Sequence, residues 1–376
     1  MGSKRAMLKN GLGELLEEVV PKKARFFDLF CGAGSVSGHV ASRYQIPVHA
    51  GDLQTYAVAL TASQVEQTIP FLADEVGNSW LARSMDWMSA NSEIWQSANR
   101  LVPPDSSFDA WRSAVGRARE FCAELPTNFP IARAYGGYYY SPTQAMTIDS
   151  LRACLPINHR TAALAALIDS GSNCAAAPGH TAQPFSTKDS ALPHLATAWA
   201  RNVSKYCFDA FVRNASVAAK VAGQASNVDA LELTLELDEC DIAFIDPPYS
   251  EVQYSRFYHV LESISLAHVG DVSGVGRYPA ISMRPQSKFS RLTQSAEAFD
   301  QLMIGVAASG AEAIVTFPAQ DASNGLSGEL VEAISSQYFT VKARKFTSLF
   351  STLGGNTVNR HARKTAAELV LHLVAR

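Results

Sequence analysis

An acid, two prolines and a tyrosine stand in a row at Asp246, Pro247, Pro248 and Tyr249, directly after the apolar run "DIAFI". Proline fixes φ at about −65° and has no N–H, and the residue before it is held extended. The turn is therefore stiff and offers carbonyl oxygens as acceptors. Asp246 adds another acceptor and Tyr249 a flat ring. Acceptors beside a stacking surface suit an exocyclic amino group on a planar base. Such an amine is a poor nucleophile, because its lone pair is conjugated with the ring. Hydrogen bonds from its two hydrogens to Asp246 and to the Pro247 carbonyl would draw the nitrogen towards sp³ character. Positioning of this kind is worth on the order of 7–11 kcal/mol for well-held partners. These four residues are the expected catalytic set.

A second constellation, Asp28, Phe30, Gly32, Gly34 and Gly38, lies in "FDLFCGAGSVSG". Glycines between a strand and a helix let the backbone approach a ligand closely. Asp52 follows about twenty residues on, where an acid can accept both hydroxyls of a ribose. The third glycine comes one residue late for GxGxxG, and GxxxxGK[ST] is absent, which argues against NAD and against a phosphate-binding loop. Phe-x-Gly-x-Gly, with an acid two residues before the Phe, fits S-adenosylmethionine better. That cofactor carries no phosphate, and the loop packs around its amino-acid part.

The elements that must position these residues are legible around them. Residues 5–20 read as a helix weakened by Gly11 and Gly13. "RFFDLF" (25–30) reads as a buried strand, the glycine-rich turn then opens a helix, "IPVHAGD" (46–52) is a second strand and "TYAVALTASQVEQ" (55–67) a helix. This opening is the signature of a doubly wound parallel sheet. The rhythm stops over 69–225, where tryptophans, loops and helical stretches such as 109–125 and 187–221 predict an inserted, mostly helical subdomain. It resumes with the strand "DIAFID" (241–246), an amphipathic stretch at 257–269, a helix at 295–309, a strand at 312–317, a helix at 327–337 and two further strands. The expected architecture is α/β, a Rossmann-like sheet in 1–68 and 226–376 interrupted by the insert.

The bulk composition narrows the classes. The chain has 376 residues, 47% of them hydrophobic, enough for a sizeable core. The formal charge of −3 does not announce a polyanion partner, so any nucleic acid must be met by local basic patches. Six cysteines are scattered with no CxxC pair and no zinc-site spacing, which predicts reduced thiols of a cytoplasmic protein and no metal. No apolar run approaches the roughly 18–20 residues of a membrane span, and "MGSKRAMLKN" lacks the apolar stretch of a signal peptide.

Taken together, "FDLFCGAGSVS" (27–37), "AGDLQTYAVAL" (50–60) and "DPPYSEVQYSRFYHVLE" (246–262), in that order, resemble the Dam-like, alpha-class DNA adenine-N6 methyltransferases. The resemblance reaches both halves and spares the middle of the insert. It implies a methyltransferase sheet, S-adenosylmethionine as cofactor, a flipped adenine in DNA as substrate and the insert as target-recognition region. It further implies that Lys4, in "GSKRAML" (2–8), lies near the cofactor, and that Asp229, in "NVDALEL" (227–233), holds the cofactor's adenine. A restriction-modification or phage-defence setting, with an endonuclease partner in the bacterial cytosol or nucleoid, belongs to the same implication.

A base inside a duplex must be extruded at a cost of a few kcal/mol, and phosphate contacts need Lys and Arg. Six basic residues and no acid fall between 341 and 364: Lys342, Arg344, Lys345, Arg360, Arg363 and Lys364. "SMRPQSKFSRL" (282–292) adds Arg284, Lys288 and Arg291. Both stretches are candidates to line a DNA cleft. The tyrosines of "YGGYYYSPTQ" are candidate base readers or a packed loop. Cytosine N4 and an RNA adenine remain alternative acceptors, although cytosine-N4 enzymes more often carry Ser where Asp246 stands. A catalytically silent binding subunit of the same fold is the alternative of a different class.

Overall fold

The computed structural model describes residues 4–103, 107–350 and 364–376, the side chains of 345–350 and 364–367 excepted. Its strands are β1 (Phe26–Asp28), β2 (Val48–Asp52), β3 (Gln224–Asn227), β4 (Ile242–Ile245), β5 (Val272–Ser273), β6 (Tyr278–Pro279), β7 (Glu312–Pro318), β8 (Thr340–Phe350) and β9 (Lys364–Val374). The chain divides into two compact units. The first holds Met1–Ile69, Val217–Tyr254 and Pro285–Arg376; the second holds Pro70–Ser216 and Ser255–Arg284.

The first unit is built on a seven-stranded sheet of order β3-β2-β1-β4-β7-β9-β8. The first five strands are parallel, while β9 runs antiparallel between β7 and β8. That reversed strand separates the sheet from the all-parallel 3-2-1-4-5-6 dinucleotide order. The chain moves outward from β1 through β2 to β3 and then returns to β4 on β1's other side. Phe26 thus pairs with both Val48 and Ile242, and Asp28 with both Ala50 and Phe244. The order reverses between β1 and β4, and open α/β sheets bind ligands outside the carboxyl ends of their strands at such a point.

Strand alternation buries both faces. Phe26, Val48, Ile242, Phe244, Ile314 and Val370 pack on one side with Leu15, Leu16, Val36 and Val40. Phe27, Ala243, Ile245, Val315, Phe317 and Leu371 pack on the other with Phe299, Leu302, Val306 and Val331. Two buried faces are what near-continuous apolar strands such as "IAFI" require, and each large side chain buried stabilises by about 1.5–3 kcal/mol. The expected N-terminal helix is two, Arg5–Leu8 and Leu12–Val19, with the break at Gly11. The expected helices at 295–309 and 327–337 stand at Ser295–Ser309 and Gly328–Tyr338.

The second unit is mostly helical. Its longer helices are Ala73–Ser89, Phe108–Ala123, Pro142–Ala153, Arg160–Cys174 and Val203–Ala215. Residues 255–284 group with it, whereas the reading of the sequence kept them with the sheet. The helix His259–Leu266 explains the grouping. Expected to be amphipathic, it is buried from His259 through Ser265, with Ser263 Oγ 2.8 Å from the Tyr135 hydroxyl. The tyrosine loop is packed too. Tyr135, Tyr139 and Tyr140 are fully buried, and their hydroxyls bond Ser263, Thr181 with Gly276, and Gly171. Ser141 and Gln144 form a capping box that starts the helix Pro142–Ala153. Among the described residues no helix is long and apolar enough to cross a membrane.

Candidate active site

The glycine-rich loop leaves β1 at the reversal point. Leu29 N–H donates to the Phe244 carbonyl at 3.0 Å and Cys31 N–H to the Gly51 carbonyl at 3.0 Å, which ties the loop to β4 and β2. Two glycines take positive φ, Gly32 at 50° and Gly34 at 74°. They serve different ends. A Cβ on Gly34 would lie 2.5 Å from Gln64 Nε2 and 2.9 Å from Thr61 Oγ1, so Gly34 lets the helix Ser35–Arg43 pack closely on Thr55–Val65. A Cβ on Gly32 would meet open space. Gly32 is therefore the position at which the loop borders open space. Phe30 is half-buried, edge-on to Phe289 with centroids 5.0 Å apart.

Asp52 ends β2 and faces the same loop. Its Oδ2 accepts from Gly32 N–H at 3.0 Å and its Oδ1 from Gln54 N–H at 2.9 Å. Asp52 thus braces the Gly32 loop and the start of the following helix with its two oxygens. Asp229 is half-buried and caps the helix Ala230–Leu233, accepting from Leu231 N–H at 2.9 Å. A capping role accounts for that carboxylate's geometry.

Asp28 is buried and accepts from Ser37 Oγ at 2.5 Å. Burial, opposed by the Ser37 bond and aided by the charge of Asp246, pushes its carboxyl up to about 7. The folded state thus keeps a proton that the unfolded chain releases near 3.8. This contribution to stability is full below 3.8 and is lost as pH rises through about 7. Asp28→Asn is expected to flatten that part of the profile. Urea midpoints of both proteins between about pH 4 and pH 7 measure it, and parallel profiles would remove the assignment.

At the end of β4, Asp246 is met by Lys4. Lys4 Nζ lies 3.0 Å from Asp246 Oδ1 and 3.5 Å from Glu368 Oε2. Thr316 Oγ1 donates to the same Oδ1 at 2.9 Å. The Lys4 and Glu368 side chains are 10% and 2% exposed, and Asp246 is 23% exposed. Burial would depress the Lys4 ammonium, but Asp246 and Glu368 outweigh it and hold its pKa above the usual value. Burial raises the Glu368 carboxyl, with Lys4 pulling the other way. Burial and then Asp246 raise the Tyr249 phenol.

The turn itself is clamped from two sides. Asn324 Nδ2, fully buried, donates to the Pro248 and Phe289 carbonyls, each at 2.8 Å. Gln253 donates to the Ser287 carbonyl at 2.9 Å and accepts from Ser287 N–H at 2.7 Å. Tyr249 is half-buried, edge-on to Tyr254. Pro247, Pro248 and the Asn324 bond restrain the Asp-Pro-Pro-Tyr backbone, and Gln253 ties the segment after it to Ser287.

The geometry thus gathers Lys4, Asp28, Gly32, Asp52, Asp246 and Tyr249 at the carboxyl ends of β1, β2 and β4 in one unit. Lys4, expected beside the cofactor, sits on Asp246. The basic candidates are dispersed. Lys288, Arg291 and Lys342 are exposed, and Arg344 pairs with Glu18 at 3.1 Å in an exposed contact of little energetic weight. Arg284 belongs to the helical unit. Arg360 and Arg363, and the side chains of Lys345 and Lys364, lie outside the described residues. All six cysteines are free thiols.

The sequence reading missed Glu368, Thr316 and Asn324. Glu368 and Thr316 each stand among apolar neighbours, in "AAELVL" and "AIVTFP", the signal by which both stand out; Asn324, in "DASNGLS", looks like any turn residue. Two acceptor oxygens of this unit, Asp28 Oδ1 and Gln54 Oε1, are buried without a hydrogen-bond partner among the described residues, and Glu368 Oε2 has only the 3.5 Å contact from Lys4. With the open space at Gly32, they leave acceptors for a ligand that brings donors. No family model matches the chain, and a search of curated proteins returns no similar sequence.

Proposed function

We propose that the chain transfers a methyl group from S-adenosylmethionine to the N6 amino group of an adenine flipped out of DNA. The observation that carries this reading is the placing of the Gly32 loop and the Asp246 turn on adjacent parallel strands at the sheet's reversal point. Asp52 would hold the ribose hydroxyls, Gly32 would admit the backbone to close approach, and the acidic edge would favour a cation. S-adenosylmethionine bound there supplies an electrophilic methyl on a positively charged sulfur.

The chain's own residues do the rest. Lys4 and Thr316 both contact Oδ1 of Asp246, which fixes the carboxylate. Its Oδ2 and the Pro247 carbonyl would accept the two N6 hydrogens and so turn the nitrogen lone pair towards a bound cofactor's methyl; as N–C forms and S–C breaks, one N6 proton would be released to water. Tyr249 stacks on the base, returning about 1–3 kcal/mol towards the cost of extrusion. The clamps from Asn324 and Gln253 keep the acceptors still while the amine changes geometry.

Asp52→Ala is expected to weaken cofactor binding about tenfold or more. A hydrogen bond to a charged group is worth about 1.5–3 kcal/mol, and about 1.4 kcal/mol is tenfold. Calorimetry giving unchanged affinity would remove the ribose role. The reading as a whole is tested by incubating the protein with methyl-labelled cofactor and mixed-sequence duplex DNA. Label in the DNA is expected, and none with a correctly folded, cofactor-binding protein contradicts the reading.

A further inference from the structure

We infer that the helical unit carries a binding site for the phosphodiester backbone of nucleic acid, formed by Arg119, Arg256, Arg277 and Arg284 around the rings of Tyr138 and Tyr278. Two guanidiniums lie against the Tyr138 ring, Arg119 with its Cζ 4.2 Å from the centroid and Arg277 at 4.8 Å. Two more lie against Tyr278, Arg256 at 4.7 Å and Arg284 at 5.6 Å. The adjacent residues Arg277 and Tyr278 join the two groups. Arg256 is exposed, and the other five side chains are half-buried.

The charges are held in place. Arg119 Nε donates to the Gly137 carbonyl at 3.0 Å and Arg277 Nε to the Ala134 carbonyl at 2.9 Å. Each such bond uses Nε, and the terminal nitrogens of a guanidinium are the edge that grips a phosphate. Arg277 has φ of 53°, a left-handed conformation that a non-glycine residue adopts at some cost. Tyr278 is fixed in turn, its hydroxyl donating to the Ala182 carbonyl.

Among the described residues no carboxylate lies within ion-pair distance of Arg119, Arg256 or Arg277. A ring face attracts a guanidinium by about 0.5–2 kcal/mol, but it does not neutralise a pair of them. In a chain of net charge −3 this concentration of fixed positive charge is not a feature of the bulk composition. A row of phosphates spaced along one backbone matches several preset guanidinium edges at once. The inference deepens the methyl-transfer reading, on which the choice of nucleic acid over an acidic polypeptide rests.

The test is the salt dependence of binding to a short labelled duplex, followed by fluorescence anisotropy. Each neutralised phosphate contributes about 0.9 to the slope of log affinity against log salt. Arg256→Gln/Arg284→Gln is expected to bind about tenfold or more weakly and to flatten the slope by about 2. Arg256→Gln alone, at an exposed side chain, is expected to flatten it by about 1 without risk to folding. An unchanged slope and affinity in both folded variants overturns the site, as does loss of poly-glutamate binding with duplex binding intact. Arginine-dependent duplex binding without methyl transfer keeps this site and removes the methyl-transfer reading. Transfer that persists with unchanged duplex affinity in the variants does the reverse.

Discussion

Replacing Asp246 by alanine is expected to cut methyl transfer by about a hundredfold or more while leaving cofactor affinity within about a factor of two; removing one preorganised hydrogen-bonding group from a reacting centre has an effect of this order. The asymmetry follows from position. Asp246 sits on the turn after β4, whereas Asp52 is the carboxylate that accepts from Gly32 N–H. Asp246→Asn separates charge from shape. It keeps a side-chain carbonyl to accept from one N6 hydrogen but brings an amide that donates, so it too is expected to lose most of the rate. Single-turnover rates and calorimetric affinities, measured on the same preparations, decide the matter. A variant retaining a tenth of the wild-type rate would remove Asp246 from the catalytic role.

The second large effect is on stability. Lys4→Met leaves Asp246 and Glu368 together without their shared cation, at side chains that are mostly buried. Breaking a buried pair from one side costs about 3–5 kcal/mol, because the stranded charge remains. Urea unfolding near neutral pH is expected to show a loss of that order. The pH dependence has a defined sign. Lys4 has its pKa raised above 10.5 in the folded state, so its contribution is full below 10.5 and is lost as pH rises through the folded value. The gap between wild type and variant therefore persists through neutral pH and closes in strong alkali. It also narrows in acid, where Glu368, already raised by burial, takes up a proton. Lys4→Met/Glu368→Gln is expected to recover most of the loss. A single-variant loss below about 1 kcal/mol would mean that the pair behaves as a solvated surface contact.

What the sequence disclosed tracks the range of the forces involved. "FFD", "IAFI" and "EAIVTF" announce buried strands because apolar burial on both faces writes itself into consecutive residues. Asp28, Gly32, Asp52 and Asp246 could be picked out because each stands at a strand's carboxyl end, beside turn chemistry with a local signature. β3, "QASN", escaped notice. It is a half-exposed edge strand held by its pairing with β2, where Asp52 meets Asn227, and by Glu66, which accepts from Ala225 N–H. Glu368 and Thr316 reach Lys4 and Asp246 from far along the chain, and no periodicity connects such positions. The helix at 259–266 looked amphipathic because His, Glu and Ser alternate with apolar residues. Inside the helical unit those polar groups find partners, as His259 does with the Arg256 and Gly276 carbonyls. Burial then follows from satisfied hydrogen bonds rather than from apolar character alone.

The most direct measurement digests reacted duplex DNA to nucleosides and identifies the methylated one by mass spectrometry, for the wild-type protein and for Asp246→Ala. The account predicts N6-methyldeoxyadenosine from the wild type and a hundredfold less, to order of magnitude, from the variant. N4-methyldeoxycytidine as the product would contradict the adenine assignment, and equal yields from the two proteins would contradict the catalytic turn.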